Sequence, residues 1–370
     1  MTSAAISLPN TAISFHDALV GSKAFYAQRD YLQVTKRDFS ENNLLPITYT
    51  SNTEYKIIRI VKQIFLVLIF PLGMYMLLHS LVGKIVLPAS SPTCMGYSKN
   101  HANEIRPAVV EDRNWKYKRI TVEVDGYKID AAIVGTPTTL HNGRWMLASG
   151  GNGEFYEGTL SPRHDFKHIL SQVHSNGIVF NYPGVGASSG LPNRQAMAKA
   201  YHAMLSFLED RENGVGAKEI IGYGHSIGGA VQGDALQIHE LKKDVKYVFV
   251  KSRTFSNLSN EVSSLMVKPL GFLIKILGWN IDSVESSKKL QAPEIIMQTA
   301  SVNGYKELKD SSKIIDEDII SSEASLAKAL LYDNDCPKEN KVFIGMHERH
   351  NDGLRNPSFL ARKIESLLKV

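Results

Sequence analysis

A serine flanked by glycines is the feature that most constrains this chain. Residues 224–228 read Gly-His-Ser-Ile-Gly, the apolar stretch 219–223 leads into them, and a helical stretch of small residues, 229–241, follows. In a G-x-S-x-G turn the serine occupies a sharp bend from strand to helix, where the flanking positions leave no room for a Cβ atom. The pattern predicts a nucleophile elbow that exposes the Ser226 hydroxyl above a sheet. The alternative is a plain glycine-rich turn.

Short apolar stretches alternate with helical patterns along the chain. Six of them read as buried strands, at 145–149, 177–182, 219–223, 245–250, 294–299 and 341–346. Two more, 119–124 and 128–134, flank Asp125-Gly126 and predict a β-hairpin, because Asp-Gly favours the positive φ values of a tight turn. The last helix is expected at 358–369. Strands that alternate with helices predict an α/β fold, with a mostly parallel central sheet and helices on both faces.

Composition and motifs exclude several classes of protein. Of 370 residues, 43% are hydrophobic and 21% charged, which is ordinary for a globular chain. Cys94 and Cys336 lack the spacing of a disulfide framework or a zinc site, so we expect no metal. The net charge of +5 comes without a basic run interleaved with aromatic residues, so we expect no nucleic-acid partner. The sequence contains no GxxxxGK[ST] motif, so it does not indicate a phosphate-binding loop.

An apolar segment precedes the predicted sheet. The 21 residues 63–83 carry no charge, and as a helix they would extend about 30 Å, near the thickness of the hydrocarbon core of a bilayer. Pro71, Gly73 and His79 disfavour a straight span and favour a re-entrant or interfacial hairpin. We therefore expect the segment 64–82 to associate with a membrane. A buried pair of core helices is the alternative.

The chain is expected to contain two parts. Residues 1–105 form an N-terminal extension that includes the apolar segment and a proline-containing linker at 88–92. Its first residues do not read as a secretory signal peptide. Residues 106–370 form the catalytic domain. A lid-like apolar insertion at 259–282 is expected either to cap an apolar pocket or to pack on the sheet as an ordinary amphipathic helix.

Two histidines compete as the base that a serine nucleophile requires. His347 and His350 both stand in the loop after the last predicted strand, in the chain order expected for this kind of site. We favour His350 because it lies further into the loop, where its imidazole can reach back over the strand ends. Two solvent-facing loop histidines are the alternative.

A carboxylate that orients the imidazole is expected after the seventh predicted strand. Asp316, Glu317 and Asp318 stand there. Glu317 has the best spacing to the branched residues Ile319 and Ile320, which would anchor the loop, but the sequence does not separate the three acids. The acidic run is alternatively a solvated cap at a helix start.

Backbone donors for a developing oxyanion are expected in two places. One is the N–H of Ile227, the residue after the serine. The other is Gly151 or Asn152, because the loop 149–154 has the glycine content that an inward-turned backbone requires.

Three motifs together resemble a known family. They are Gly-Asn-Gly-Glu at 151–154, Asn-Tyr-Pro-Gly-Val-Gly-x-Ser-x-Gly from 181 and Gly-His-Ser-x-Gly-Gly from 224. The chain resembles the α/β-hydrolases and is similar in particular to a little-characterised family from intracellular bacterial pathogens that includes SidB-like, lipase-like effectors. The stretch 251–255 and the end of the apolar segment, 87–90, are also similar to that family. Three acids stand where such enzymes usually carry one aspartate.

The resemblance implies an α/β-hydrolase that works without a cofactor. We expect a serine hydrolase of the esterase, lipase or thioesterase type, which cleaves carboxylic or lipid acyl esters through an acyl-enzyme. The partner is then an ester or lipid substrate. The protein itself is expected at a membrane or in the cytoplasm, or as a secreted bacterial effector. The alternatives are a catalytically silent membrane or effector binding module and a serine peptidase.

Overall fold

The computed structural model describes residues 12–13, 70–91, 115–124, 127–139, 141–161, 164–211, 214–265 and 268–369. Part of the apolar segment, 64–69, and the predicted turn at Asp125-Gly126 lie outside the described residues. So do Pro92, at the end of the linker, and the first residues of the predicted catalytic domain.

The elements occur in the following order. The first half contains β1 (Ala12–Ile13), α1 (Phe70–Val86), β2 (Lys116–Val124), β3 (Tyr127–Gly135), β4 (Arg144–Ser149), α2 (Tyr156–Thr159), α3 (Phe166–Gln172), β5 (Asn176–Phe180) and α4 (Arg194–Glu209). The second half contains β6 (Glu219–His225), α5 (Ile227–Ile238), β7 (Lys246–Ser252), α6 (Leu258–Leu265), α7 (Lys268–Ile276), α8 (Ser283–Lys289), β8 (Glu294–Thr299), β9 (Lys306–Glu307), α9 (Leu326–Tyr332), β10 (Lys341–Met346) and α10 (Pro357–Leu368). Short 3-10 turns stand at Pro88–Ser90, Ser311–Lys313 and Ser322–Ala324.

One mixed sheet organises the described residues. Its strand order is β1-β2-β3-β5-β4-β6-β7-β8-β10-β9. Six neighbouring strands, in the order β5-β4-β6-β7-β8-β10, pair in parallel. Strands β2 and β3 form an antiparallel hairpin with Val124 opposite Tyr127. The predicted α/β class, the mostly parallel sheet and the opening hairpin are therefore confirmed.

The predicted boundaries differ from the observed ones where side chains interrupt the backbone pattern. The strand predicted at 177–182 ends at Phe180, because the Asn181 carbonyl accepts from the Ser188 hydroxyl at 2.7 Å. The helix predicted at 229–241 is Ile227–Ile238 and ends at His239, which has extended backbone. The sequence does not predict β1 or β9, since two-residue strands have no period.

Helices cover both faces of the sheet. On one face, α1, α4, α5 and the α6–α7 insertion pack around a cluster that includes Tyr201 and Trp279. On the other face, α3 and α10 pack around a second cluster that includes Phe166 and Leu360. The core therefore has a layer on each side, and the carboxyl ends of the parallel strands remain free to build a site.

The apolar helix α1 is buried along only part of its length. Val82 and Val86 belong to the first cluster, and a Cβ atom at Gly83 would lie 3.0 Å from the Trp279 ring. The side chains from Met74 to Leu77 are exposed. Across the described ranges, no helix combines the length and the apolar character needed to cross a lipid bilayer.

A buried charge network joins three neighbouring strands. Lys251 Nζ lies 2.8 Å from Glu294 Oε1, and Lys341 Nζ lies 3.5 Å from Glu294 Oε2, with all three side chains fully buried. Burial alone raises the pKa of Glu294, but the two lysine cations outweigh it and hold that pKa below its ordinary value. Breaking such a pair leaves an uncompensated buried charge.

We expect Lys251→Met to lower the free energy of unfolding by about 3–5 kcal/mol, because the more distant Lys341 would be the only cation left near Glu294 among the described residues. Urea denaturation measures this. Lys289→Met is the matched control, since Lys289 pairs with Glu285 on the solvent side of α8 and little change is expected. Equal, small losses in both variants would contradict the role of the network.

Candidate active site

Ser226 occupies a strained bend between β6 and α5. Its backbone has φ 55° and ψ −125°, in a region that residues with a Cβ atom rarely adopt. A Cβ atom at Gly224 would lie 2.5 Å from Gly229 Cα, and one at Gly228 would lie 2.1 Å from the Ser149 carbonyl oxygen. The two glycines of the motif are therefore required by close backbone packing.

Neighbouring backbone and side-chain groups hold this bend in place. The Ser226 N–H donates to the Ser252 carbonyl at 2.9 Å, and the Thr254 hydroxyl donates to the Ser226 carbonyl at 3.1 Å. Ser226 lines a cavity of about 480 Å³ at the carboxyl edge of the sheet. The hydroxyl thus stands where a small molecule can reach it.

His350 lines the same cavity and has a buried carboxylate behind it. His350 Nδ1 lies 3.1 Å from Glu317 Oε1, and both side chains are at least 95% buried. An ionised carboxylate only accepts hydrogen bonds, so the Nδ1–H is the donor. This tautomer leaves Nε2 of His350 unprotonated, as a general base requires.

Two neighbouring donors orient the Glu317 carboxylate. Gln298 Nε2 donates to Glu317 Oε1 at 3.2 Å, and the Thr299 hydroxyl lies 2.7 Å from Oε2. The Glu317 N–H donates to the Ile320 carbonyl at 3.2 Å, which closes the loop on itself. The end of β8 therefore holds the carboxylate that faces His350, and the turn at 317–320 holds its backbone.

The other two acids of the run point elsewhere. Asp316 Oδ1 accepts from the Ser322 N–H at 2.7 Å, at the start of a 3-10 turn. Asp318 is exposed and lies 3.4 Å from Arg349 Nη1. Among the three acids predicted as alternatives, only Glu317 contacts His350. The capping role considered for the run fits Asp316 alone.

His347 lies away from the serine. It lines a separate surface cavity that does not include Ser226, and its ring Nε2 lies 3.2 Å from Arg355 Nη1. Its neighbour Glu348 is buried and accepts from Tyr305 Oη at 2.6 Å. The structure therefore places His350, and not His347, in the wall of the cavity that contains Ser226.

The three residues predicted to supply backbone donors differ in their hydrogen-bond partners. No hydrogen bond from the Ile227 N–H to a described residue is present. The Gly151 N–H donates to Glu154 Oε2 at 2.7 Å, so it would have to exchange that carboxylate for a substrate oxygen. Asn152 is exposed, and its carbonyl accepts from the Ala89 N–H.

His225, which precedes the serine, is an uncharged neighbour of His350. The two ring centroids are 5.0 Å apart, and His225 Nδ1 is buried without a hydrogen-bond partner among the described residues. Burial and the nearby Arg253 cation lower the pKa of His225 well below its ordinary value. Of these two adjacent histidines, only His350 has a carboxylate partner among the described residues.

Sequence reasoning assigns no role to two buried charged residues near the site. Arg253 follows β7, is 3% exposed and lines the cavity. Glu261 lies on α6 and is buried with both carboxyl oxygens unpartnered. The position of Arg253 at the carboxyl edge of a predicted strand is a signal that could have found it. No sequence signal identifies Glu261, because the pattern places it on the polar face of a helix.

Within the part of the chain that the structure describes, no group of three or more His, Cys, Asp or Glu side chains is arranged to hold a metal ion.

The sheet, the serine bend and the order of the site residues define an α/β-hydrolase fold. A solved α/β-hydrolase from Vibrio vulnificus matches with a TM-score of 0.56 at 14% identity, over 78% of this chain and 92% of that one. An esterase from Pyrococcus furiosus matches with a TM-score of 0.47 at 14% identity, over 69% of this chain and 91% of that one. An acetyl xylan esterase from Paenibacillus sp. R4 matches with a TM-score of 0.47 at 12% identity, over 73% of this chain and 94% of that one.

A family model extends the match over nearly the whole chain. The model described as Chlamydia CHLPS protein (DUF818) matches residues 35–368, and the chain belongs to this family. No curated protein matches the chain. The resemblance to α/β-hydrolases predicted from the motifs is therefore confirmed at the level of the fold, whereas the resemblance to SidB-like effectors stays a prediction.

Glu261 makes folding stability depend on pH. Burial, and then the neighbouring Glu317 carboxylate, raise the pKa of Glu261 from 4.5 to about 8. The folded state therefore binds a proton that the unfolded state has lost, and stability falls as the pH rises from about 4.5 to about 8.

We expect Glu261→Gln, which keeps the shape without the charge, to raise the Tm at pH 8 and to flatten its decline between pH 5 and pH 8. Thermal unfolding by circular dichroism at several pH values measures this. Glu323→Gln is the control, because Glu323 is exposed and pairs with Lys328 at the surface. A variant with the wild-type pH dependence would show that Glu261 does not titrate in this range.

Proposed function

We propose that this protein is a serine hydrolase that cleaves carboxylic or lipid acyl esters through an acyl-enzyme. The observation that carries the proposal is that one cavity is lined by Ser226, on a strained bend, and by His350, whose Nδ1–H donates to the buried Glu317 carboxylate. These are the nucleophile, the base and the orienting acid that acyl transfer by a serine requires.

In the first half of the reaction, Ser226 Oγ bonds to the carbonyl carbon of the ester while His350 Nε2 takes the hydroxyl proton. The Glu317 carboxylate stabilises the imidazolium that results. The Ile227 N–H, together with Gly151 or Asn152, donates to the oxyanion. The tetrahedral intermediate then expels the alcohol, which leaves with the proton from His350.

In the second half, water attacks the acyl-enzyme and His350 again takes the proton. The carboxylic acid leaves as the bond to Ser226 Oγ breaks, and the proton returns to the serine. No step requires a metal or an organic cofactor.

Exposed apolar side chains favour a lipid ester or a site of action at a membrane. Met76 and Leu77 on α1, and Phe272 and Ile276 on α7, are all more than half exposed. Both helices pack on the same face of the sheet, where Trp279 lies 5.3 Å from His79 between ring centroids. An apolar surface of this kind suits an interface with lipid.

The lid role of the insertion 259–282, the association of the apolar segment with a membrane, the location of the protein and a role as a secreted effector are parts of the same proposal. They depend on lipid being the substrate or the surface.

Ser226→Ala is expected to abolish turnover of 4-nitrophenyl esters, and His350→Ala to lower kcat by about 10⁴-fold, as losses of triad members do. His347→Ala is the matched control and should retain wild-type kcat, since His347 lies in another cavity. Steady-state kinetics over a series of acyl lengths measures this. Turnover that survives in Ser226→Ala would overturn the mechanism, and a folded wild-type protein without any turnover would favour a silent binding module.

Glu317→Gln is expected to lower kcat by about 10³- to 10⁴-fold, because an amide in this position stabilises the wrong tautomer of His350. Asp316→Asn and Asp318→Asn remove a charge from the same loop without a contact to His350 and should change kcat less than about twofold. The same ester assay measures all three. A large loss in either control would move the acid to that residue.

A further inference from the structure

Arg253 is a buried cation in the wall of the cavity that contains Ser226. It follows the last residue of β7, and its backbone has φ 50°, which places a bulky residue in the left-handed region. Its side chain is 97% buried. Arg253 and His350 line the same cavity, so Arg253 borders the space that a substrate would enter.

Two of the three guanidinium nitrogens of Arg253 are used within the protein. Nη1 donates to the Arg349 carbonyl and, at 2.7 Å, to the Asp352 carbonyl. Nε lies 3.3 Å from Ser252 Oγ. Nη2 donates to no described residue. The two hydrogen bonds of Nη1 hold the loop that carries His350. Nη2 is left for another partner.

No described carboxylate lies within 4 Å of this guanidinium. Three acids line the same cavity, but each accepts a backbone N–H instead. The donors are Gly151 to Glu154 at 2.7 Å, Leu354 to Asp165 at 2.7 Å and Arg349 to Asp352 at 3.0 Å. A buried cation without a counter-ion is costly, and proteins normally pair such a charge. The missing counter-ion is therefore expected from the ligand.

We propose that the ester substrate carries an anionic oxygen group, a carboxylate or a phosphate, which binds to Nη2 of Arg253. This inference rests on the proposed function and narrows its substrate class. Arginine suits the role because it stays charged and its planar N–H donors match such oxygens. The same guanidinium holds the backbone at 349 and 352, so substrate recognition and the position of His350 are linked through one side chain.

Three esters of one leaving group test the proposal with the full-length protein. They are 4-nitrophenyl butyrate, which is neutral, 4-nitrophenyl hemisuccinate, which ends in a carboxylate, and the 4-nitrophenyl ester of 3-phosphonopropionate, which ends in a phosphate-like group. We expect kcat/KM to be roughly 10- to 100-fold higher for at least one anionic ester, the range of a charge-assisted hydrogen bond. Which anionic ester is preferred distinguishes carboxylate from phosphate.

Arg253→Met is expected to abolish the preference, and Arg253→Lys to keep part of it. Arg349→Met is the matched control and should keep the full preference, because the Arg349 side chain is 70% exposed and lies near Asp318. If Arg253→Met fails to fold, Arg253→Lys carries the comparison, since it retains the charge but loses the planar fork.

Two results would overturn the proposal while the hydrolase survives. One is equal kcat/KM for the three esters in the wild type. The other is an Arg253 variant that slows all three esters by the same factor, which would mean that Arg253 only positions the His350 loop. Absence of turnover for every ester would instead overturn the proposed function, and the anion site with it.

Discussion

The bend at Ser226 is the constraint on which the rest of the site depends. A residue with a Cβ atom keeps φ 55° only where the surrounding structure fixes its backbone conformation. β6 lies between β4 and β7, so the Ser149 carbonyl crowds Gly228 from one side and the Ser252 carbonyl accepts the Ser226 N–H from the other. The central position of the strand therefore creates the strain and also holds it.

The parallel order of the strands then brings the remaining groups to the same edge. Glu317 belongs to the long connection after β8, and His350 belongs to the loop after β10, its neighbour in the sheet. Gln298 and Thr299, at the end of β8, direct the Glu317 carboxylate toward His350. A separate charge network, centred on Glu294 at the start of β8, joins β7, β8 and β10 beneath this edge. The site thus rests on strands that are tied together below it.

Much of this arrangement follows from local patterns in the sequence. The apolar runs predict each long strand, and the spacing of Gly224 and Gly228 around Ser226 predicts the bend, because both depend on neighbours along the chain. The choice among Asp316, Glu317 and Asp318 depends on donors 18 or more residues away, which no local pattern contains. Arg253 and Glu261 are similar cases, since the burial of their charges is a property of the packed fold.

The central claim is that Ser226 is an activated nucleophile, and covalent labelling with a fluorophosphonate tests it most directly. We expect intact-mass analysis to show a single adduct on the full-length protein, and peptide mapping to place it on Ser226. The Ser226→Ala variant should show no adduct. An adduct on another residue, or none on a protein that circular dichroism shows to be folded, would contradict the claim.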